Sequence, residues 1–179
     1  MIKAGQMLPR IIVDTREQRP YSFSGRQTVL KKLDIGDYSL EGFEDHFAIE
    51  RKELNDFVSC MINKSECKNR DRFVRELERA KEKLHRLWIL VECDFSHILR
   101  GNFRSELKVA SAVATTLAWQ NRYPIQVIWG GNRAQSARLA ERVLERSYRD
   151  VRDKKVSNCN KSFVSGDKKN DSTGNSKKT

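Results

Sequence analysis

Three acidic stations in this chain are spaced so that they could do chemistry together: Asp14 with Glu17 in Val-Asp-Thr-Arg-Glu, Asp37 in Gly-Asp-Tyr, and Glu50 in Ile-Glu-Arg-Lys. Each falls at or just past the end of a short apolar run that suits a strand. If residues 47–52 are extended, period-two alternation puts Glu50 and Lys52 on one face and Arg51 on the other. Should the strand that carries Asp37 pair with this one, a second carboxylate comes to about 5 Å, where two negative charges repel unless a cation lies between them. Oxygen ligands with no His or Cys beside them select a hard ion, Mg2+ or Mn2+, over zinc. Such an ion polarises a phosphoryl oxygen and lowers the pKa of bound water, while a neighbouring lysine screens the developing charge. The chemistry expected of this set is phosphodiester hydrolysis. The plainer alternatives are a surface ion pair for Glu50 and Lys52 and, for Asp56, a favourable contact with the dipole of the helix that follows.

The elements that must hold these residues can be read from the apolar pattern. Ile11–Thr15, Val29–Leu33, Tyr38–Leu40 and Phe47–Arg51 read as strands, punctuated by Gly36 and Gly42. Leu54, Phe57, Val58, Met61 and Ile62 recur at helical spacing, as do Phe73, Val74, Leu77, Ala80 and Leu84. Leu87–Val91 reads as a central strand, a helix capped by Ser105 should run through Gln120, and Ile125–Trp129 is a further strand stopped by Gly130 and Gly131. Asn132 with Gln135 three residues on is a capping box for a last helix to about Tyr148. Strands first and then alternating helix and strand predict an α/β fold, a mixed central sheet flanked by helices on both faces. His85 and His97 read as structural, and Trp88, Trp119 and Trp129 as core.

Lys and Arg number 35 against 24 Asp and Glu in 179 residues, a net charge of +11. That balance favours a polyanionic partner, nucleic acid first. The longest apolar run is Leu87–Val91, far short of the roughly 20 residues a spanning helix needs, so no membrane association is expected. Met1–Arg10 lacks the apolar stretch of a secretory signal, and Cys60, Cys67, Cys93 and Cys159 form no CxxC pair. A cytoplasmic location, or a nuclear one in a eukaryote, is the expectation. From Val151 onward the composition is Ser, Asn, Asp, Gly and Lys, with eight basic against three acidic side chains. It predicts a disordered basic tail over 151–179 behind a domain at 1–150.

Val13–Glu17, Gly36–Tyr38 and Glu-Arg-Lys-x-x-x-Asp over Glu50–Asp56 together resemble the nuclease domain of the XPF-type structure-specific endonucleases, which has a restriction-endonuclease-like core. The resemblance runs in motif order from about Ile11 through Glu92, with Arg72-Phe73 after the Glu-Arg-Lys run, and more loosely to Tyr148. It implies that Asp14, Asp37 and Glu50 are metal-site residues, that Arg51 and Lys52 are the basic pair of the motif, and that Glu17 and Asp56 are supporting acids. It implies a Mg2+- or Mn2+-dependent endonuclease on branched or flapped DNA in repair, recombination or replication, working as a homodimer. A run of small and apolar residues from Val109 to Trp119 is consistent with such an interface or with a buried helix. Relatives usually carry a tandem helix-hairpin-helix module after this domain, and Val151–Thr179 is too short and polar to be one. Two other readings stay open: a catalytically inactive DNA-binding scaffold, against which the intact Asp37, Glu50 and Lys52 argue, and a sequence-specific restriction-type nuclease.

Overall fold

Short apolar runs pair into one sheet because each is too apolar to be left in water and too short to be a helix. The computed structural model describes residues 8–62 and 68–166, with side chains as far as Asp153. Strands β1 (Ile11–Val13), β2 (Thr28–Leu30), β3 (Tyr38–Leu40), β4 (Phe47–Lys52), β5 (Arg86–Val91) and β6 (Ile125–Trp129) lie in the order β2-β1-β3-β4-β5-β6. β3 runs antiparallel to both β1 and β4, whereas β4, β5 and β6 are mutually parallel. The mixed α/β sheet expected from the sequence is therefore the fold.

Both faces are covered. On one, Phe57 of α1 (Leu54–Ser59), Phe73 and Leu77 of α2 (Lys68–Lys83), Ile98 of α3 (Phe95–Leu99) and Ala112 and Trp119 of α4 (Val109–Arg122) pack over Ala48, Leu87 and Ile89. On the other, Ala140, Val143 and Leu144 of α5 (Arg133–Gly166) close over Ile11, Tyr38, Ile49 and Leu90. Parallel strands packed on both faces bury nearly every side chain, and β4 presents Phe47, Ala48, Ile49 and Glu50 as a continuous buried run. A carboxylate at the end of such a run is the consequence that matters for the site.

The expected elements and the structure differ most in four places. β2 starts one residue earlier and ends at Leu30, since Asp14 takes the Leu33 N–H. Ser105 does not cap a helix: its Oγ accepts the Leu107 N–H at 3.1 Å in a local turn, and α4 begins four residues on, at Val109. α3 is a five-residue helix with too little periodicity to register in the sequence. α5 continues past Tyr148 to Gly166, into the segment read as a tail; residues 1–7, 63–67 and 167–179 lie outside the described residues. The Asn132–Gln135 capping box forms as read, with Gln135 N–H donating to Asn132 Oδ1 at 3.0 Å and Asn132 N–H to Gln135 Oε1 at 2.9 Å. Among the described residues no helix is long and apolar enough to cross a membrane.

Gly36, which sets the turn into β3, has φ of 77°, and a Cβ there would stand 2.9 Å from the Ile49 carbonyl oxygen. Gly42, at φ of 80°, has nothing within 4 Å. Gly36→Ala should therefore lose the conformational cost of about 1–2 kcal/mol plus a backbone clash, and Gly42→Ala the conformational cost alone. Urea unfolding checks the order; equal losses would show that the Ile49 contact is immaterial.

Candidate active site

The antiparallel step from β3 to β4 brings the Gly-Asp-Tyr turn against the Glu-Arg-Lys strand. Asp37 N–H donates to the Ile49 carbonyl at 2.7 Å, and its Oδ2 accepts the Arg51 N–H at 2.7 Å. Asp37 is thereby fixed across the strand from Glu50. Alternation along β4 then divides the motif: Lys52 pairs with Glu50 on one face, while Arg51 turns to the other. Lys52 also rests on the Phe73 ring, its Nζ 5.1 Å from the centroid, so the α2 core residue floors the ammonium.

Burial pushes the Asp37 carboxyl up to about 6, with Glu17 and Glu76 adding repulsion against the Arg51 N–H and the Lys52 charge. Glu50, 6% exposed, is raised well above the carboxylate range by burial first and by Asp37 second, against the pull of Lys52. For Lys52 burial works downward, but the Glu50 contact and the Glu76 charge outweigh it and hold the ammonium protonated. Two desolvated carboxylates thus face one ammonium, and the pair is under-neutralised.

Arg51 belongs to a different network. It binds Glu17 in a bidentate contact at 2.9 and 3.2 Å and reaches Glu92 at 3.3 Å, while Arg133 at the start of α5 holds the other Glu92 oxygen at 2.9 Å. Arg133 also caps the carbonyls of Arg19 and Pro20. Burial alone would raise Glu17, but the Arg51 guanidinium, the Arg19 N–H and the Arg133 charge leave it below its usual value. Glu92, just past β5, and Arg133 escaped the sequence reading because no local pattern marks a partner 41 residues away.

Asp14 is tied to Asp37 through its backbone, Asp14 N–H to the Asp37 carbonyl at 2.8 Å. Its carboxylate, however, accepts the Arg16 N–H, the Arg16 guanidinium and the Leu33 N–H. These contacts outweigh burial and hold it below the usual range. Asp14 thus shares the cleft with Asp37 and Glu50 but has its oxygens engaged by Arg16 and Leu33, and among the described residues no group of three His, Cys, Asp or Glu side chains gathers closely enough to hold a metal alone. Asp56 lies in the first turn of α1, on the rim of the same cleft.

That cleft, about 560 Å³, opens between the strand ends and α2. Asp14, Asp37, Glu50 and Lys52 line one side; Arg72, Glu76 and Arg79 of α2 line the other. Cys60 also reaches it, but burial pushes its thiol up to about 11, which leaves it a neutral and poor ligand at pH 7. The available donors are oxygens, and Mg2+ or Mn2+ is the class of ion they fit: such ions are held through one or two carboxylates together with water and phosphate oxygens.

Residues 13–143 match the ERCC4 domain. The chain belongs to that family. It is an XPF-type nuclease domain, and the family supports a DNA endonuclease. Among solved structures it is similar to XPF from Aeropyrum pernix, at 26% identity and a TM-score of 0.60 over 80% of this chain and 69% of that one. It is also similar to the same protein in complex with DNA, at 25% identity and a TM-score of 0.57 over 79% and 66%. No curated protein sequence matches significantly.

The Arg51 network of this nuclease domain predicts a pH-dependent stability. A depressed carboxylate stabilises the fold above its unfolded value, here 4.5, and the contribution disappears as pH falls through its lower folded value. Arg51→Gln, which strands Glu17 while Glu92 keeps Arg133, should cost about 3 kcal/mol at pH 7, and its gap from wild type should narrow below about pH 4. Urea titrations at pH 7 and pH 3.5 measure it; a gap independent of pH would contradict the ion pair.

Proposed function

We propose that this chain hydrolyses phosphodiester bonds in branched or flapped DNA, using Mg2+ or Mn2+ held by Asp37 and Glu50. The observation that carries the reading is the under-neutralised pair: the buried Glu50, the half-buried Asp37 and one lysine in a single cleft. A bound divalent ion supplies a polarised phosphoryl oxygen and a more acidic water. The chain's own residues do the rest. Lys52, kept protonated by Glu50 and steadied on Phe73, places fixed positive charge where negative charge develops on the phosphate. Arg16, Arg72 and Arg79 line the same cleft and attract the flanking phosphates, as does the net charge of +11. Arg51, paired with Glu17 and Glu92, lines the same cleft and ties the strand to the loop after β1. Asp14 anchors the Arg16 loop and supports Asp37 through its backbone. The DNA complex of the Aeropyrum pernix XPF supports DNA as the partner here.

Flap, fork, four-way junction and plain duplex substrates, each with Mg2+, Mn2+ or chelator, test the reading. Cleavage should require the ion and prefer the branched forms. Glu50→Gln and Lys52→Ala should each lower it by about 10²-fold or more while DNA binding persists; wild-type rates for Glu50→Gln, or cutting in excess chelator, would overturn it.

We also propose a homodimer formed through the α3–α4 surface. Ala112 and Trp119 turn to the core, whereas Leu99 and Leu117 stand 53% and 55% exposed beside the half-covered Phe95. Light scattering should give twice the 20.8 kDa of the chain, and Leu117→Glu should return the chain mass; a single chain mass for wild type across the micromolar range would contradict it.

A further inference from the structure

α2 turns Phe73, Leu77 and Ala80 into the core and thereby sets Arg72, Glu76 and Arg79 along the cleft. Glu76 is the acid of that row. Its Oε1 accepts the Gly36 N–H at 3.2 Å, one residue before Asp37. Its charge bears on Asp37, Glu50, Lys52 and Arg16 alike.

Its place among the charged groups of the cleft sets its role. Arg51 is committed to Glu17 and Glu92, and Arg16 to Asp14. Among the described residues, neither Arg72 nor Arg79 has an ion pair with a carboxylate. Against Asp37, Glu50 and Glu76 stands the ammonium of Lys52, which pairs with Glu50. Of these three acids Glu76 alone stands on α2, across the cleft from the strand pair. The three acids do not close into a direct ligand cage, and Mg2+-like ions keep several waters and need only one or two carboxylates, so an acid beside the ligands acts through its field.

We propose that Glu76 is a third acidic member of the cation centre, strengthening divalent-ion binding at Asp37 and Glu50 by its charge while its hydrogen bond to Gly36 positions Asp37. This rests on the cation reading above. A third carboxylate facing the pair adds to the attraction for a doubly charged ion. It is a positioning and field residue, separated in sequence from the strand motifs by the whole of α1.

Mn2+ binding to the full chain, followed by titration calorimetry and by the electron paramagnetic resonance of free Mn2+, tests this without recourse to cleavage. Glu76→Gln keeps the acceptor for the Gly36 N–H and removes the charge. It should bind Mn2+ about tenfold more weakly than wild type with an unchanged unfolding midpoint in chelator, and cleavage lost at low Mn2+ should return at high Mn2+. Glu76→Asp, which keeps the charge, should retain most of the affinity. Wild-type affinity in Glu76→Gln, alongside lost binding in Glu50→Gln, overturns the role of Glu76 and leaves the cation reading standing. An Asp variant as weak as the Gln variant also overturns it, since charge would then not be the cause. Absence of Mn2+ uptake by wild type overturns both.

Discussion

Glu50 is buried and Asp37 half-buried on adjacent strands, with the Lys52 ammonium on Glu50 and the Arg51 N–H on Asp37, and this arrangement governs the rest of the site. A fold keeps such a pair only when the backbone leaves it no escape. Here β4 runs between β3 and β5, so Glu50 cannot swing to solvent, and Asp37 is pinned by hydrogen bonds through its own N–H and its side chain. Gly36 permits the close approach, because any side chain there would strike the Ile49 carbonyl. The repulsion is stored locally and offset by burial elsewhere in the sheet, a common signature of a site built for a charged ligand.

On the opposite face of the same strand the charges are paired. Glu17 and Glu92 are matched by Arg51 and Arg133, and the network ties the loop after β1, the end of β5 and the first turn of α5 to one residue of β4. Neighbouring positions on one strand therefore differ: Arg51 joins a network of two acids and a second arginine, whereas Glu50 faces the Lys52 ammonium and the Asp37 charge. Arg133 stacks on the Tyr21 ring at 5.0 Å, which joins this polar network to the aromatic core formed by Tyr21, Phe23 and Tyr38.

Much of this was legible in the sequence because it is local. The apolar runs of β3, β5 and β6, the alternation that separates Glu50 and Lys52 from Arg51, and the Asn132–Gln135 box all depend on residues within a few positions of one another. What escaped is long-range. Glu92 acquires its role from Arg51 and Arg133, each 41 residues distant, and Glu76 from Gly36, 40 residues away; nothing near them in the chain announces it. Ser105 misled because a Ser before an apolar helix is a common cap, yet a tight local turn claimed its hydroxyl first. The helical course of α5 beyond Tyr148 runs through a segment whose polar composition argued against order.

The central claim is that the folded chain bears an electrostatic strain at Asp37 and Glu50 which a divalent ion relieves. Thermal unfolding of wild type and of the double variant Asp37→Asn/Glu50→Gln at pH 8, each in chelator and in Mn2+, tests it most directly. The account predicts that the neutral double variant is the more stable of the two in chelator, that Mn2+ raises the wild-type midpoint, and that Mn2+ leaves the variant unmoved. A variant less stable than wild type in chelator, or an equal response of both proteins to Mn2+, would contradict it.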